Sequence, residues 1–182
     1  MANPIETAEV FLPRSVRVGD LVKPELLTTL RDHGILLNQA AEDIFVHRGF
    51  KPSGQAKIIR IAALAVSALG FPAGATYAQL SARALALGFL ECPLELGPYL
   101  RLQFMNQPEA PGGLPASKSG SPPGAITIAS MPLDQTDYAP KGFYLRHVDS
   151  FYWLRGYWAD ATHVWDPQDV FVFSLAVKTE FR

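Results

Sequence analysis

The chain has 182 residues, of which 48% are apolar and 18% charged, so it carries ample material for a core and too little charge for a disordered segment. Its net charge is -1, with nine basic and nine acidic side chains in residues 1–98 and seven and eight in residues 99–182. Displacing counterions from phosphates needs clustered Lys and Arg, so this even balance argues against a nucleic-acid partner, and a single cysteine, Cys92, excludes an intramolecular disulfide.

Residues 1–19 read as irregular or extended, with a short strand at 10–12 ended by Pro13. Glu6 and Glu9 and the lack of a long apolar run argue against a signal peptide. The most apolar stretch, Ile58–Leu69, is too short to cross a bilayer, so the expectation is a cytoplasmic protein with no membrane partner. Lys23–Asp32 predicts a helix, with Pro24 in its first turn, Leu26, Leu27 and Leu30 on one face and Gly34 past its end. Asn38 is the N-cap of a second helix, Gln39–His47, closed by Gly49. Ile58, Ile61, Ala62, Ala65 and Leu69 follow helical spacing, and Lys57–Leu69 is expected to be the central core helix. Thr76 and Gln79 form a capping box that starts a fourth helix reaching about Leu87, with Gly88 beyond it.

Near Pro98 the pattern changes. Leu100, Leu102 and Phe104 alternate as in a strand. Residues 106–124, rich in Pro, Gly and Ser, predict a long flexible loop that tolerates removal. Ala125–Met131 is a further strand, Phe143–Val148 and Phe151–Leu154 flank Asp149-Ser150 as a hairpin, and Val170–Val177 is a last strand. The sum is an α+β fold in one domain, 1–182. A helical half (1–98, about four helices) is expected to pack on one face of an antiparallel sheet of four to five strands in a β-rich half (99–182).

Three segments carry a resemblance: Gly74-Ala-Thr-Tyr-Ala-Gln-Leu, Ala86-Leu-Gly-Phe-Leu-Glu-Cys-Pro and Glu95-Leu-Gly-Pro-Tyr-Leu-Arg-Leu-Gln103. Tyr157-Trp-Ala-Asp160 and Val170-Phe-Val-Phe173 extend it over roughly residues 70–182. The chain there resembles an uncharacterised family of small bacterial proteins that share a helix, a Cys-Pro-x-Glu-x-Gly-Pro segment and a Leu-Arg-Leu-Gln strand. That family has no established activity, so the resemblance implies no function.

Four constellations bear on chemistry. Cys92 precedes Pro93 and could sit at a helix start, where the dipole favours a thiolate. His147 as base and Asp160 or His163 as the orienting group would complete a thiol hydrolase in the order of papain-like cell-wall peptidases, although Pro93 departs from the small residues that usually follow such a cysteine. The alternative is a buried, inert thiol. Asp160, His163, Asp166 and Asp169 are spaced by threes, but Pro167 reads as turn chemistry, so no metal and no cofactor is expected.

The aromatic cluster of the β half is the third. Tyr152, Tyr157, Trp158 and Trp165, with Arg146 and Arg155 at the rim, are the candidate ligand-binding residues. They support a binding or interaction protein, its partner a small molecule or another protein. The fourth, 76–88, has the outline of half a helix-turn-helix, and a DNA-binding accessory factor is the remaining alternative, although Arg83 is the only charge on that helix. No phosphate-binding glycine loop, nucleophile elbow, paired-cysteine zinc motif or His-Glu-x-x-His is present, which favours a non-enzymatic reading.

Overall fold

The computed structural model describes residues 12–13, 15–112 and 120–176. In chain order the elements are β1 (Ser15–Val18), α1 (Lys23–Asp32), β2 (Leu36–Leu37), α2 (Gln39–Val46), β3 (Lys57–Ala65), β4 (Ala75–Thr76) and α3 (Tyr77–Ala86). They continue with β5 (Phe89–Leu90), α4 (Leu96–Gln103), β6 (Ile126–Ile128), β7 (Gly142–Val148), β8 (Phe151–Tyr157), β9 (Val164–Trp165) and β10 (Val170–Leu175). The α+β class is observed, with a sheet larger than expected. Among the described residues eight strands form one sheet, ordered β1-β3-β10-β6-β7-β8-β2 with β5 also paired to β10. The sheet is mixed, not antiparallel throughout, because β10 runs parallel to β6 and β2 parallel to β8.

The local signals of the first half act as read. Pro24 stands in the first turn of α1 with Leu26 and Leu30 buried on one face, and Glu25, not singled out from the sequence, accepts the Val22 N–H at 3.1 Å. The Asn38 side chain accepts the Ala41 N–H at 3.0 Å and starts α2. Thr76 and Gln79 close their capping box, with the Thr76 N–H donating to Gln79 Oε1 at 2.9 Å. The β7–β8 hairpin turns at Asp149 and Ser150, both at positive φ (52° and 63°), the backbone of a two-residue turn whose twist matches the strands.

Two expectations are corrected. Lys57–Leu69 is not a helix; its first nine residues are β3, which pairs with β1 through Lys57–Arg60 and with β10 through Ile61–Ala65. Tyr99–Phe104 is not a strand but lies mostly in α4, so the Leu-Arg-Leu-Gln segment is helical. Helices are therefore neither confined to the first half nor gathered on one face. Strand alternation sends neighbouring residues to opposite sides, and each side has its own core. Ile61, Ala63, Ile126, Ile128, Phe143, Leu145, Leu154 and Val172 pack with Leu26, Leu30, Ile44, Phe45, Leu96 and Leu100 from α1, α2 and α4. Leu64, Phe171 and Phe173 face the other way and pack with Leu80 and Ala84 of α3 and with Trp165 of β9.

The strand expected at 10–12 lies, but for Leu12, outside the described residues, as do Val177 and the centre of the expected loop, 113–119. The described flanks of that loop are anchored to the sheet and to Asp169. Gln107 and Ala110 are buried, the Ala110 N–H donates to His147 O at 2.8 Å, and the Ser121 N–H donates to Asp169 Oδ1 at 2.9 Å.

Candidate functional site

A cavity of about 510 Å³ opens on the face of the sheet that α3 covers. That volume lies in the usual range of small-molecule sites. Its first wall is one side of α3, where Tyr77, Ala78, Ser81, Ala82 and Leu85 recur at helical spacing. Glu91 follows β5 and forms the floor; residues 130–137 and 159–161 form the opposite side, and Tyr157 and Trp165 close the end.

The start of α3 is fixed to this site by a two-stranded ladder in which Ala75 pairs with Trp165 and Thr76 with Val164. The contact requires glycine at position 74, whose φ is +88° and where a Cβ would stand 2.4 Å from the Trp165 carbonyl oxygen. Trp165 in turn meets Tyr157 edge-on at 5.5 Å, Phe171 at 5.1 Å and His163 at 4.6 Å.

The polar groups converge on Glu91. Its Oε1 accepts the Tyr77 hydroxyl at 2.8 Å and the Ser81 hydroxyl at 3.0 Å, and Tyr77 also reaches Ser130 O at 3.2 Å. Burial, reinforced for Tyr77 by Tyr157 and Glu91 and for Tyr157 by Glu91, pushes both phenols above the ordinary tyrosine range, so both remain protonated donors. Two polar atoms of lining residues, Ser130 Oγ and Trp165 Nε1, are buried behind the cavity surface without a protein partner. Ser130 is 1% exposed and Trp165 6%. At the rim, Lys141 Nζ is tied to the carbonyls of Thr136 and Asp134 at 2.6 and 3.3 Å.

Of the residues singled out from the sequence, Tyr157, Trp165 and Asp160 line this cavity and the others do not. Along β8, Tyr157 points to the side opposite Tyr152, which packs against the core beneath α1, α2 and α4. There Tyr152 stacks on the His147 ring at 4.0 Å and lies under the Arg101 guanidinium at 4.8 Å. Arg155 lies over the Trp153 ring at 4.1 Å, Arg146 donates to Pro123 O at 3.0 Å, and Trp158 is half exposed.

The Cys92–His147–Asp160 triad is not assembled. Cys92 is 4% exposed inside the core, its Sγ lies 3.5 Å from Val172 O, and burial first, then Glu91, pushes its thiol up, away from a thiolate. The Cys92 N–H bonds Ala129 O, and the β6–β7 register places Ala129 level with Gly142. His147 is five residues further along β7, roughly 17 Å at the rise of an extended strand. Its Nδ1 already bonds Gln107 O at 2.7 Å. Asp160 is exposed and bonds the N–H and hydroxyl of Thr162 at 2.8 and 2.7 Å. Asp169 closes a turn by accepting the Asp166 N–H at 2.9 Å, and among the described residues no three His, Cys, Asp or Glu side chains form a metal-binding group. A helix-turn-helix is not formed either, since the segment before α3 is β3, a short 3-10 turn and β4.

The residues missed from sequence are Tyr77, Ser81, Glu91 and Ser130. The capping box fixes the phase of α3 and so places Tyr77 and Ser81 four apart on one face. In the extended segment 89–92, Phe89 and Glu91 share the cavity side while Cys92 turns into the opposite core, so the useful residue was the neighbour of the one that drew attention.

The buried acids give a pH prediction. The unfolded chain releases the Cys92 proton near the ordinary value of 9.0 and the tyrosine protons near 10.0, whereas the folded chain retains those of Cys92, Tyr77 and Tyr157. The stability they contribute is therefore complete below pH 9 and is lost as pH rises. Thermal midpoints should fall between pH 9 and 11, and Cys92→Val should flatten the fall between 9 and 10; an unchanged slope would show that the thiol ionises in the native state. Comparison with family models, with curated proteins and with solved structures finds no match.

Proposed function

We propose that the protein binds a small organic molecule in the cavity between α3, Glu91 and the ends of β8 and β9. The observation that carries this reading is the convergence of the Tyr77 and Ser81 hydroxyls on Glu91 Oε1, beside the rings of Tyr157 and Trp165, in a cavity large enough for a ligand. The apolar side chains of Ala78, Leu85, Met131 and Pro132 suit the body of such a molecule. This reading retains the expected use of aromatic residues but draws on Tyr157 and Trp165 together with Tyr77, and leaves Tyr152, Trp158, Arg146 and Arg155 outside.

Ala82→Trp tests it. Ala82 is exposed on the cavity wall of α3, so the substitution fills the opening at a cost within about 0.5 kcal/mol, as for other surface changes. A fragment library screened by thermal shift should yield ligands that stabilise the wild type by about 2–3 kcal/mol at a hundredfold excess over Kd. Those shifts should vanish in Ala82→Trp while its own unfolding temperature stays the same. Ligands that stabilise both proteins equally would place binding elsewhere.

A further inference from the structure

Resting on that reading, we infer that the ligand is an organic cation, a protonated amine on an apolar body, whose nitrogen is held by Glu91. The argument starts from the ion-pair inventory. Among the described residues the ion pairs are Arg17 with Asp20 and Lys57 with Glu95. Glu91 has no cationic partner, although it stands on the floor of a largely apolar cavity. Glu91 is partly buried, and a carboxylate beside apolar and aromatic surface attracts a countercharge and donors to both oxygens. Tyr77 and Ser81 both donate to Oε1, and among the described residues no group is paired with Oε2.

The surroundings select the sign of the ligand's charge. The rings of Tyr77, Tyr157 and Trp165 line the same space, and aromatic rings attract ammonium groups through their quadrupoles. Asp137 and Asp160 at the rim add to the negative field, and the one lining cation, Lys141, is held by the carbonyls of Asp134 and Thr136. An anion would meet three carboxylates. A neutral molecule would leave Glu91 without a countercharge.

The test uses three probes of nearly equal shape, 2-phenylethylamine, 2-phenylethanol and 3-phenylpropionate, titrated calorimetrically into the full chain at pH 7. The wild type should bind the amine at least tenfold more tightly than the alcohol and should not bind the acid. In Glu91→Gln the amine should lose that advantage while the alcohol binds as before, which also shows that the variant is folded. If the alcohol or the acid binds the wild type as well as the amine does, the cation assignment is overturned and the cavity remains a binding site. If none of the three binds, and none competes with a fragment that Ala82→Trp excludes, the cation assignment fails while the cavity reading stands on that fragment. If no fragment distinguishes Ala82→Trp from the wild type, both readings fall.

Discussion

Replacing Gly156 by alanine is expected to destabilise the native state by about 3–5 kcal/mol, the sum of a backbone clash and a broken hydrogen-bonded junction. Gly156 lies in β8 beneath the first turn of α2. A Cβ built there would stand 2.6 Å from Ala40 C, 2.7 Å from Ala41 N and 2.8 Å from Ala40 O. These are helix backbone atoms, which no rotamer change can move. The helix sits so close because Asn38 binds the strand as well as capping the helix. Its Oδ1 accepts the N–H groups of Gly156 (2.8 Å) and Ala41 (3.0 Å), and its Nδ2 donates to Gly156 O at 3.0 Å. The Asn38 amide thus continues the β2–β8 ladder, whose last pair is Leu37 with Leu154. A shift of α2 large enough to admit a methyl group breaks these bonds together. For a chain of this length the loss corresponds to a fall in the unfolding temperature of roughly 10 °C. A fall of less than about 2 °C would mean that α2 and β8 separate at little cost. Because Tyr157 is the next residue, Gly156→Ala should also weaken ligand binding in the cavity on the opposite face, with Asn38→Ala showing a smaller effect of the same kind.

The elements legible in the sequence are those specified by short-range chemistry. Asn38, the Thr76–Gln79 pair and Asp149-Ser150 act within a few residues of themselves, and α2, α3 and the hairpin follow from them. The segment Lys57–Ala65 was not legible because its second half, Ile61–Ala65, packs on both faces and has no polar side to alternate with, while Ile58 in its first half is apolar yet exposed. Ile61 and Leu64 are buried in opposite cores, yet their spacing of three also fits one side of a helix. In α4 the reverse occurred. Leu100, Leu102 and Phe104 alternate, but Leu96 through Arg101 are all buried, so neither period marks a polar face, and Pro98 stands in the first turn, where proline is tolerated. The site was legible only where aromatic residues announced it, at Tyr157 and Trp165. Glu91, Ser81 and Ser130 gain their meaning from α3 lying beside β8 and β9, through contacts such as Tyr77 with Ser130 and Ala75 with Trp165 that no local spacing encodes.

The same helix supplies the last expectation, concerning the fully buried Arg101. A guanidinium without a carboxylate partner is costly inside a protein, and here burial, partly offset by Tyr152, pulls its pKa down to about 10. The charge is tolerated because Nη1 donates to Gln107 Oε1, Nη2 donates to Phe104 O, and the rings of Tyr152 and Phe104 lie 4.8 and 5.9 Å from the guanidinium carbon. Gln107 passes the connection on, donating to Gly124 O at 2.9 Å, while its own carbonyl accepts from His147 Nδ1. Arg101 is thus the internal anchor of the segment after α4. Gln107→Leu should destabilise by about 2–4 kcal/mol, since it strips a buried charge of one of its hydrogen bonds. Arg101→Met should cost a similar amount by orphaning Gln107 Oε1 and the Phe104 carbonyl. The double variant removes the charge together with its partner, so its cost should fall short of the sum by at least about 1 kcal/mol. A urea-denaturation double-mutant cycle measures that coupling, and additivity within about 0.5 kcal/mol would show that Arg101 and Gln107 act independently. Arg101→Met should also remove one alkaline contribution of opposite sign to that of the buried acids. A base whose folded pKa is depressed holds its charge at a cost in the native state up to about pH 10, and that cost is relieved as pH rises from there toward the ordinary 12.5. The variant's stability should therefore fall more steeply than the wild type's above pH 10.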